Sequence, residues 1–188
     1  MNDRSCAGDG ASPHDSDLLR RHRRGDRSAF AALVERHEGA LLRYATRLSG
    51  DSEIAQDAVQ EAFLNLARQQ GVTPDSPQAW LFRVTRNRAL DRIKKEARMR
   101  TKEAKAARPE VVPEERDPLE QGEAHCAISA QLEKLLPEVR EALALKVLEG
   151  LSYRQIAEIT GHSVGKVGTL IHEGLSQLAR GLRSAGVV

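Results

Sequence analysis

Between Arg83 and Glu103, nine bases (Arg83, Arg86, Arg88, Arg92, Lys94, Lys95, Arg98, Arg100 and Lys102) stand against only Asp91, Glu96 and Glu103. That excess is more than a solvated helix needs. A basic face of this density can displace counterions from several phosphates, the main source of sequence-independent affinity for nucleic acid. Asn87 lies among these bases, and Gln69 and Gln70 open the Gly- and Pro-containing loop that precedes them. Trp80 and Phe82 stand at the start of the stretch, where aromatic rings can stack on unpaired bases. Trp80 also suits the apolar face of the same helix, so a core position is the favoured reading of it.

A second group has the opposite sign. Glu53, Asp57 and Glu61 lie at i, i+4 and i+8, with Gln60 beside them, and form one row along a helix. The row reads either as a solvated face or as a docking strip for a basic partner helix.

The third group runs from Leu151 to Val167. Ser152 and Gln155 have capping-box spacing, Ile156 and Ile159 are the buried residues of a short helix, and Ala157 allows a second helix to cross closely. Gly161 suits a tight turn at positive φ, and Ser163 can cap the helix that follows. Val164, Val167, Ile171, Leu178 and Leu182 then mark that helix's buried side. The pattern predicts a helix-turn-helix, with a plain αα-hairpin as the lesser reading.

No constellation suggests catalysis. A Gly-rich phosphate loop, a metal-spaced His/Cys/Asp set and a nucleophile with its base are all missing from the pattern, so no catalytic residue, metal or cofactor is expected. Cys6 and Cys126 offer neither metal spacing nor a disulfide framework. No apolar run approaches the ~20 residues that cross a bilayer, and residues 1–17 lack the apolar core of a secretory signal. A cytoplasmic protein without membrane insertion is expected.

These groups must be positioned by helices. The chain has 188 residues, is 40% hydrophobic but only 3% aromatic, and draws its apolar content mainly from Leu and Ala. That composition favours helix over sheet. Helical spacing from Leu18 to Leu48 breaks at Gly25-Asp26, with Asp26 as an N-cap. Ser49 to Ser52 separates this from a helix with the stripe Ala55, Val59, Ala62, Phe63 and Leu66. Ser76 followed by Pro77 starts the basic helix, on which Trp80, Leu81, Val84, Leu90 and Ile93 are apolar. Leu132, Leu135 and Leu136 close one further helix, and Pro137 opens another that stops at Gly150.

The formal charge of +2 conceals the organisation. Residues 1–17 carry one base and four acids (−3), and residues 18–103 carry eighteen and eleven (+7). Residues 104–123 carry three and six (−3), and residues 124–188 carry seven and six (+1). Pro109, Pro113 and Pro118 fall in the third segment, where they prevent a continuous helix. The expected architecture is all-α: a disordered tail (1–17), a basic helical domain (18–103), a flexible acidic linker (104–123) and a small domain containing the helix-turn-helix (124–188).

The residues resemble the bacterial RNA polymerase sigma factors of the extracytoplasmic-function (ECF) group. The likeness covers roughly Leu18–Arg100 and Leu132–Leu182. It is carried by the stretch from Ala55 to Leu64, by Ala79 to Asp91, and by Leu136-Pro137 with Arg140. Glu149 to Tyr153, and Ile156 to Ile159 with Gly161, complete it.

The resemblance implies a promoter-specificity subunit that binds core RNA polymerase and promoter DNA and helps open the duplex. An anti-sigma protein that covers both domains is a further implied partner. The row of Glu53, Asp57, Gln60 and Glu61 would dock on the clamp helices of the polymerase's largest subunit. The loop from Gln69 through Gln70 to Ser76 would capture an unstacked base of the −10 element. Trp80, Arg83, Arg86, Asn87, Arg88, Arg92, Lys94 and Lys95 would contact DNA there. At the −35 element the second helix of the helix-turn-helix would enter the major groove with Ser163, Lys166, Thr169 and His172, while Tyr153 and Arg154 lie nearer the backbone. The acidic linker would thread the RNA-exit region.

The sequence departs from that family in the recognition helix, where Lys166 is the only base from Val164 to Leu178. Gly165, Gly168 and Gly174 each cost this helix about 1 kcal/mol relative to Ala. Two other functions compete: a stand-alone helix-turn-helix regulator, and a sigma-like polymerase-binding regulator with weak promoter reading.

Overall fold

The computed structural model describes residues 14–69, 74–104 and 131–184, with the backbone alone for 100–104. Residues 1–13, 70–73, 105–130 and 185–188, with Cys6, Gln70, Cys126 and nearly all of the expected linker, lie outside the described residues. Every regular element among the described residues is helical.

The first half consists of α1 (Asp15–Arg23), α2 (Arg27–Ser49), α3 (Ser52–Arg68) and α4 (Pro77–Ala104). Helix α1 begins inside the segment expected as tail. Asp15 anchors it, because its carboxylate accepts from Arg36 at 2.6 Å and lies 2.7 Å from Nε2 of the buried His37. Burial works against ionisation of Asp15, but these two partners prevail and hold its pKa below the usual carboxylate value.

Gly25, at φ 98°, makes the turn out of α1, and Asp26 caps α2 by accepting from the amides of Ser28 and Ala29. Gly50, left-handed at φ 72°, ends α2, and Asp51 caps α3. Ser76 accepts from the Ala79 amide at 3.2 Å, so the cap-plus-proline start of α4 forms as the sequence predicts.

Helices α2, α3 and α4 pack on one another, with α1 against α2. Ala55, Val59, Ala62, Phe63 and Leu66 are all buried, as their spacing predicts. On α4 the buried side differs from the expected one. Ala79, Leu81, Phe82, Thr85 and Ala89 are enclosed, while Trp80, Val84, Leu90 and Ile93 are half-buried. Phe82 is fully buried and packs edge-on against Tyr44, with ring centroids 5.3 Å apart. It is therefore core and is withdrawn from any base stacking.

In the second half, residues 131–133 end a helical turn, followed by α5 (Pro137–Val147), α6 (Tyr153–Thr160) and α7 (Val164–Ser184). Arg140 donates to the carbonyl oxygens of Glu133 at 2.6 Å and Leu135 at 3.1 Å, tying the turn before α5. The Ser152–Gln155 capping box is present, and Gly161 closes α6 at φ 77°.

Ile156, Ile159, Val167 and Ile171 are buried as expected, but Val164 is exposed, as are Val147 and Leu148 at the end of α5. Val164 opens α7 and projects beyond the contact with α5 and α6. Helix α7 runs unbroken through its glycines. A Cβ on Gly174 would stand 3.0 Å from Val139 and 3.4 Å from Leu143, so its absence lets α7 press against α5.

The two halves touch. One buried core cluster includes residues from both, and α4 packs against α6. The first half presents Tyr44, Arg47, Ser76, Arg83 and Arg86 to Glu141, Glu149, Gln155 and Glu158 of the second.

Candidate nucleic-acid interface and docking surface

Helix α4 is about 42 Å long at 1.5 Å per residue, and Arg88, Arg92, Lys94, Lys95 and Arg98 are exposed along it. Asn87, Lys94 and Lys95 are exposed and make no hydrogen bond or ion pair among the described residues. Arg88 pairs with Glu61 at 3.1 Å, and Arg92 with Asp57 at 2.6 Å. Arg83 lies 3.4 Å from Glu158.

Arg86 differs from the other expected DNA contacts because it is mostly covered. Its Nε and Nη2 donate to the two carboxylate oxygens of Glu141 at 2.7 and 3.1 Å, and Tyr44 donates to the same carboxylate at 2.6 Å. The Glu141 hydrogen bond raises the Arg86 pKa, and burial together with the Glu141 charge pushes the Tyr44 phenol well above its ordinary value.

At the foot of α4, a polar cleft of about 480 Å³ is lined by Asp15, Arg36, His37, Asp75, Ser76 and Gln78. Gln69 is half-buried at the end of α3, and its side-chain oxygen has no hydrogen-bond partner among the described residues. Trp80 is half-buried against the core, so its outer side alone is open to solvent.

On α3, Glu53, Asp57 and Gln60 are exposed and Glu61 is half-exposed. Beside them an apolar groove of about 600 Å³ runs between α2 and α3, lined by Phe30, Val34, Leu42, Val59, Phe63 and Leu64. Leu64 is 45% exposed, which leaves apolar surface next to the acidic row.

Helices α6 and α7 form the helix-turn-helix. Ser163 accepts from the Lys166 amide at 3.2 Å and so caps α7, while Thr169 donates to the Gly165 carbonyl at 3.2 Å. Tyr153 and Arg154 are exposed at the start of α6, with the Lys146 ammonium 5.4 Å from the Tyr153 ring centroid. His172 is exposed and unpaired among the described residues. Lys166 donates to Glu138 at 2.9 Å, with His162 3.6 Å from the same oxygen, and the Lys166 bond lowers the Glu138 pKa.

The reading of single residues missed Tyr44, Glu138, Glu141 and Glu158 as partners of the bases. No local spacing reveals them, because each pair joins helices distant in sequence. Among the described residues no group of His, Cys, Asp and Glu could hold a metal, and no helix is long and apolar enough to cross a membrane.

A helix-turn-helix, a separate basic helix beside a polar cleft and an acidic-apolar face define a DNA-binding protein built to engage a further partner. Comparison with known proteins gives the family. Residues 33–99 match Sigma-70 region 2, and residues 127–178 match Sigma-70, region 4.

The ECF RNA polymerase sigma factor SigE of Mycolicibacterium smegmatis is 36% identical over 82% of this chain, which spans 63% of that relative's length. The ECF RNA polymerase sigma factor SigM of Mycobacterium tuberculosis is 33% identical over 88% of this chain and 83% of its own length. Among solved structures, that of CnrH in complex with the cytosolic domain of CnrY aligns with a TM-score of 0.62 and 26% identity. It covers 90% of this chain and 97% of the other.

The chain belongs to the ECF group of RNA polymerase sigma factors, the subunits that direct core polymerase to promoters. Members of this group are regulators of initiation rather than enzymes.

Proposed function

We propose that this chain, acting in the cytoplasm and without chemistry of its own, brings core RNA polymerase to a set of promoters through three surfaces. Glu53, Asp57, Gln60 and Glu61, with the apolar groove beside Leu64, dock on the polymerase. Asn87, Lys94 and Lys95, with Arg83, Arg86, Arg88 and Arg92 once released from their carboxylates, hold the −10 region. An unstacked base enters the polar cleft lined by Asp75, Ser76 and Gln78, with Gln69 and Gln70, at the other end of the same sequence stretch, as further candidate contacts. Helix α7 meets the −35 element with Ser163, Lys166, Thr169 and His172, backed by Tyr153 and Arg154.

The observation that carries this reading is the basic side of α4, which leads away from the cleft and is flanked by the acidic row on α3. A stand-alone repressor would use the helix-turn-helix and leave both features without a task. One neighbour of known structure, CnrH, is in complex with the cytosolic domain of CnrY, and for this chain an anti-sigma factor is the proposed protein partner. Purified chain added to core polymerase is expected to give defined transcripts from a genomic library, and sequencing their starts yields both promoter elements. Failure to associate with core polymerase would sink the proposal.

A further inference from the structure

We propose that the basic corner between α1 and α2, with Arg24, Arg27 and Arg68 from the end of α3, is a second phosphate-binding surface that holds the single DNA strand beyond the captured base. The inference deepens the proposed function and rests on its assignment of the cleft at the foot of α4 to an unstacked base.

Charge marks the corner. From Arg20 to Arg27 the chain carries five arginines and His22 against Asp26 alone. Two of these arginines are engaged, Arg20 with Asp17 and Arg21 with Asp26 at 2.8 Å. Arg24, Arg27 and Arg68 are exposed, and their side chains make no hydrogen bond or ion pair among the described residues. Helix stability explains part of this charge, because bases in the last turn of α1 offset the negative end of its dipole. It does not explain Arg27, which opens α2 at the end where the dipole disfavours a cation.

Packing brings Arg68 to the same corner. Helix α3 runs antiparallel to α2, from Ile54 beside Leu48 to Phe63, which meets Phe30 edge-on at 6.3 Å. The other side of Phe30 carries the His22 ring at 4.6 Å. From Phe63, α3 continues for about 7.5 Å to Arg68, and Gln69 then opens the loop that leads to the cleft.

The corner and α4 flank the cleft from opposite ends. Helices α2 and α4 run in parallel, with Tyr44 against Phe82 and Leu48 beside Ala89. Both lead away from the cleft, which is lined by Arg36, His37 and Ala40 on one and by Asp75 to Gln78 at the start of the other. Arg27 precedes Arg36 by nine residues, about 13.5 Å in the other direction. A strand whose base sits in the cleft therefore has the basic side of α4 on one side of that base, and on the other it runs towards the corner. Arginine forks suit this task, since each can clasp two phosphate oxygens.

The corner lies wholly in the first half and is open to solvent, so the full-length chain tests it without a promoter. Arg24→Gln with Arg27→Gln and Arg68→Gln is titrated by fluorescence anisotropy against a labelled thymidine 20-mer across a salt series. Affinity at low salt is expected to fall about tenfold, and the salt slope by about two, the figure for three phosphates at about 0.7 each on a single strand. Lys134→Gln with Arg180→Gln and Arg183→Gln, the same charge change at exposed positions of the second half, should cost threefold or less. Equal losses would reduce the effect to net charge and overturn the proposal. Should circular dichroism show lost helicity in the triple variant, Arg24→Gln with Arg68→Gln replaces it, with a slope change of about 1.4.

Holoenzyme on a promoter whose single strand is cut away just past the captured base places the surface. The triple variant should bind this shortened DNA as the parent does, and its penalty should return when the strand is extended. A penalty that persists on the shortened strand overturns the proposal. So does weakened assembly with core polymerase in the absence of DNA, which would assign the corner to an acidic protein surface. A lack of promoter-specific transcription would count against the cleft assignment, and the thymidine titration would still decide whether the corner binds a strand.

Discussion

Arg92 on α4 donates to Asp57 on α3 at 2.6 Å, and one turn earlier Arg88 reaches Glu61 at 3.1 Å. The proposed DNA face and the proposed docking face thus share a seam of ion pairs. All four side chains are about half exposed, and exposed pairs contribute only about 0.2–1 kcal/mol. The pairs are therefore exchangeable: a basic partner helix can take the carboxylates, and phosphates can take the guanidinium groups.

Charge reversal on this seam separates its two roles. Asp57→Lys with Glu61→Lys is expected to weaken binding to core polymerase about tenfold or more while changing free-DNA binding much less. Fluorescence anisotropy titrations against each ligand at one salt concentration make the comparison. Equal losses in both would remove the docking role from the row.

From Val164 to Leu178 the recognition helix carries one base, Lys166, and Glu138 holds it at 2.9 Å. If Lys166 meets a phosphate in the complex, Lys166→Ala should lower the salt slope of upstream-element binding by about one. Glu138→Gln should strengthen the same binding by releasing Lys166. Holoenzyme titrations across a salt series provide both readings, and an unchanged slope for Lys166→Ala would take that residue out of the contact.

Acid should loosen α2 through its cap. Asp26 accepts from Ser28, Arg21 and the Ala29 amide, and these bonds lower its pKa to about 2. The folded value lies below the unfolded one, so the cap's contribution is complete above about pH 4 and is lost as pH falls towards 2. Thermal unfolding followed between these limits should show a pH-dependent decline that Asp26→Asn reduces. An unaltered profile would count against the cap as its source.

Two glycines on one helix should respond in opposite senses. A Cβ at Gly165 meets open space, so Gly165→Ala is expected to stabilise by up to about 1 kcal/mol. A Cβ at Gly174 stands 3.0 Å from the buried Val139, so Gly174→Ala should destabilise despite the same gain in propensity. Chemical denaturation of the two variants ranks them, and the reverse order would refute the packing role of Gly174.

Much of this protein was legible in local pattern. Helix starts at Asp26, Ser76 and Ser152 depend on side chains capping amides two or three residues away, and the turn at Gly161 depends on a single φ. The α3 stripe follows from helical period alone. The family resemblance rests on the same ordered local motifs, and the charge of each segment can be counted without a structure.

Tertiary structure decided what those residues face. Trp80 and Phe82 carry the same local signal, yet the helix turns Phe82 wholly inward against Tyr44 and leaves Trp80 at the margin. The acidic row and the basic helix read as separate surfaces in the sequence, but packing of α3 on α4 joins them through Asp57–Arg92 and Glu61–Arg88. Arg86 reads as one more base among nine, and only the approach of α5, 55 residues later, makes it the partner of Glu141. Spacing along the chain fixes which face of its own helix a residue occupies. The charge it meets is fixed by the crossing of helices that have no sequence relation to one another.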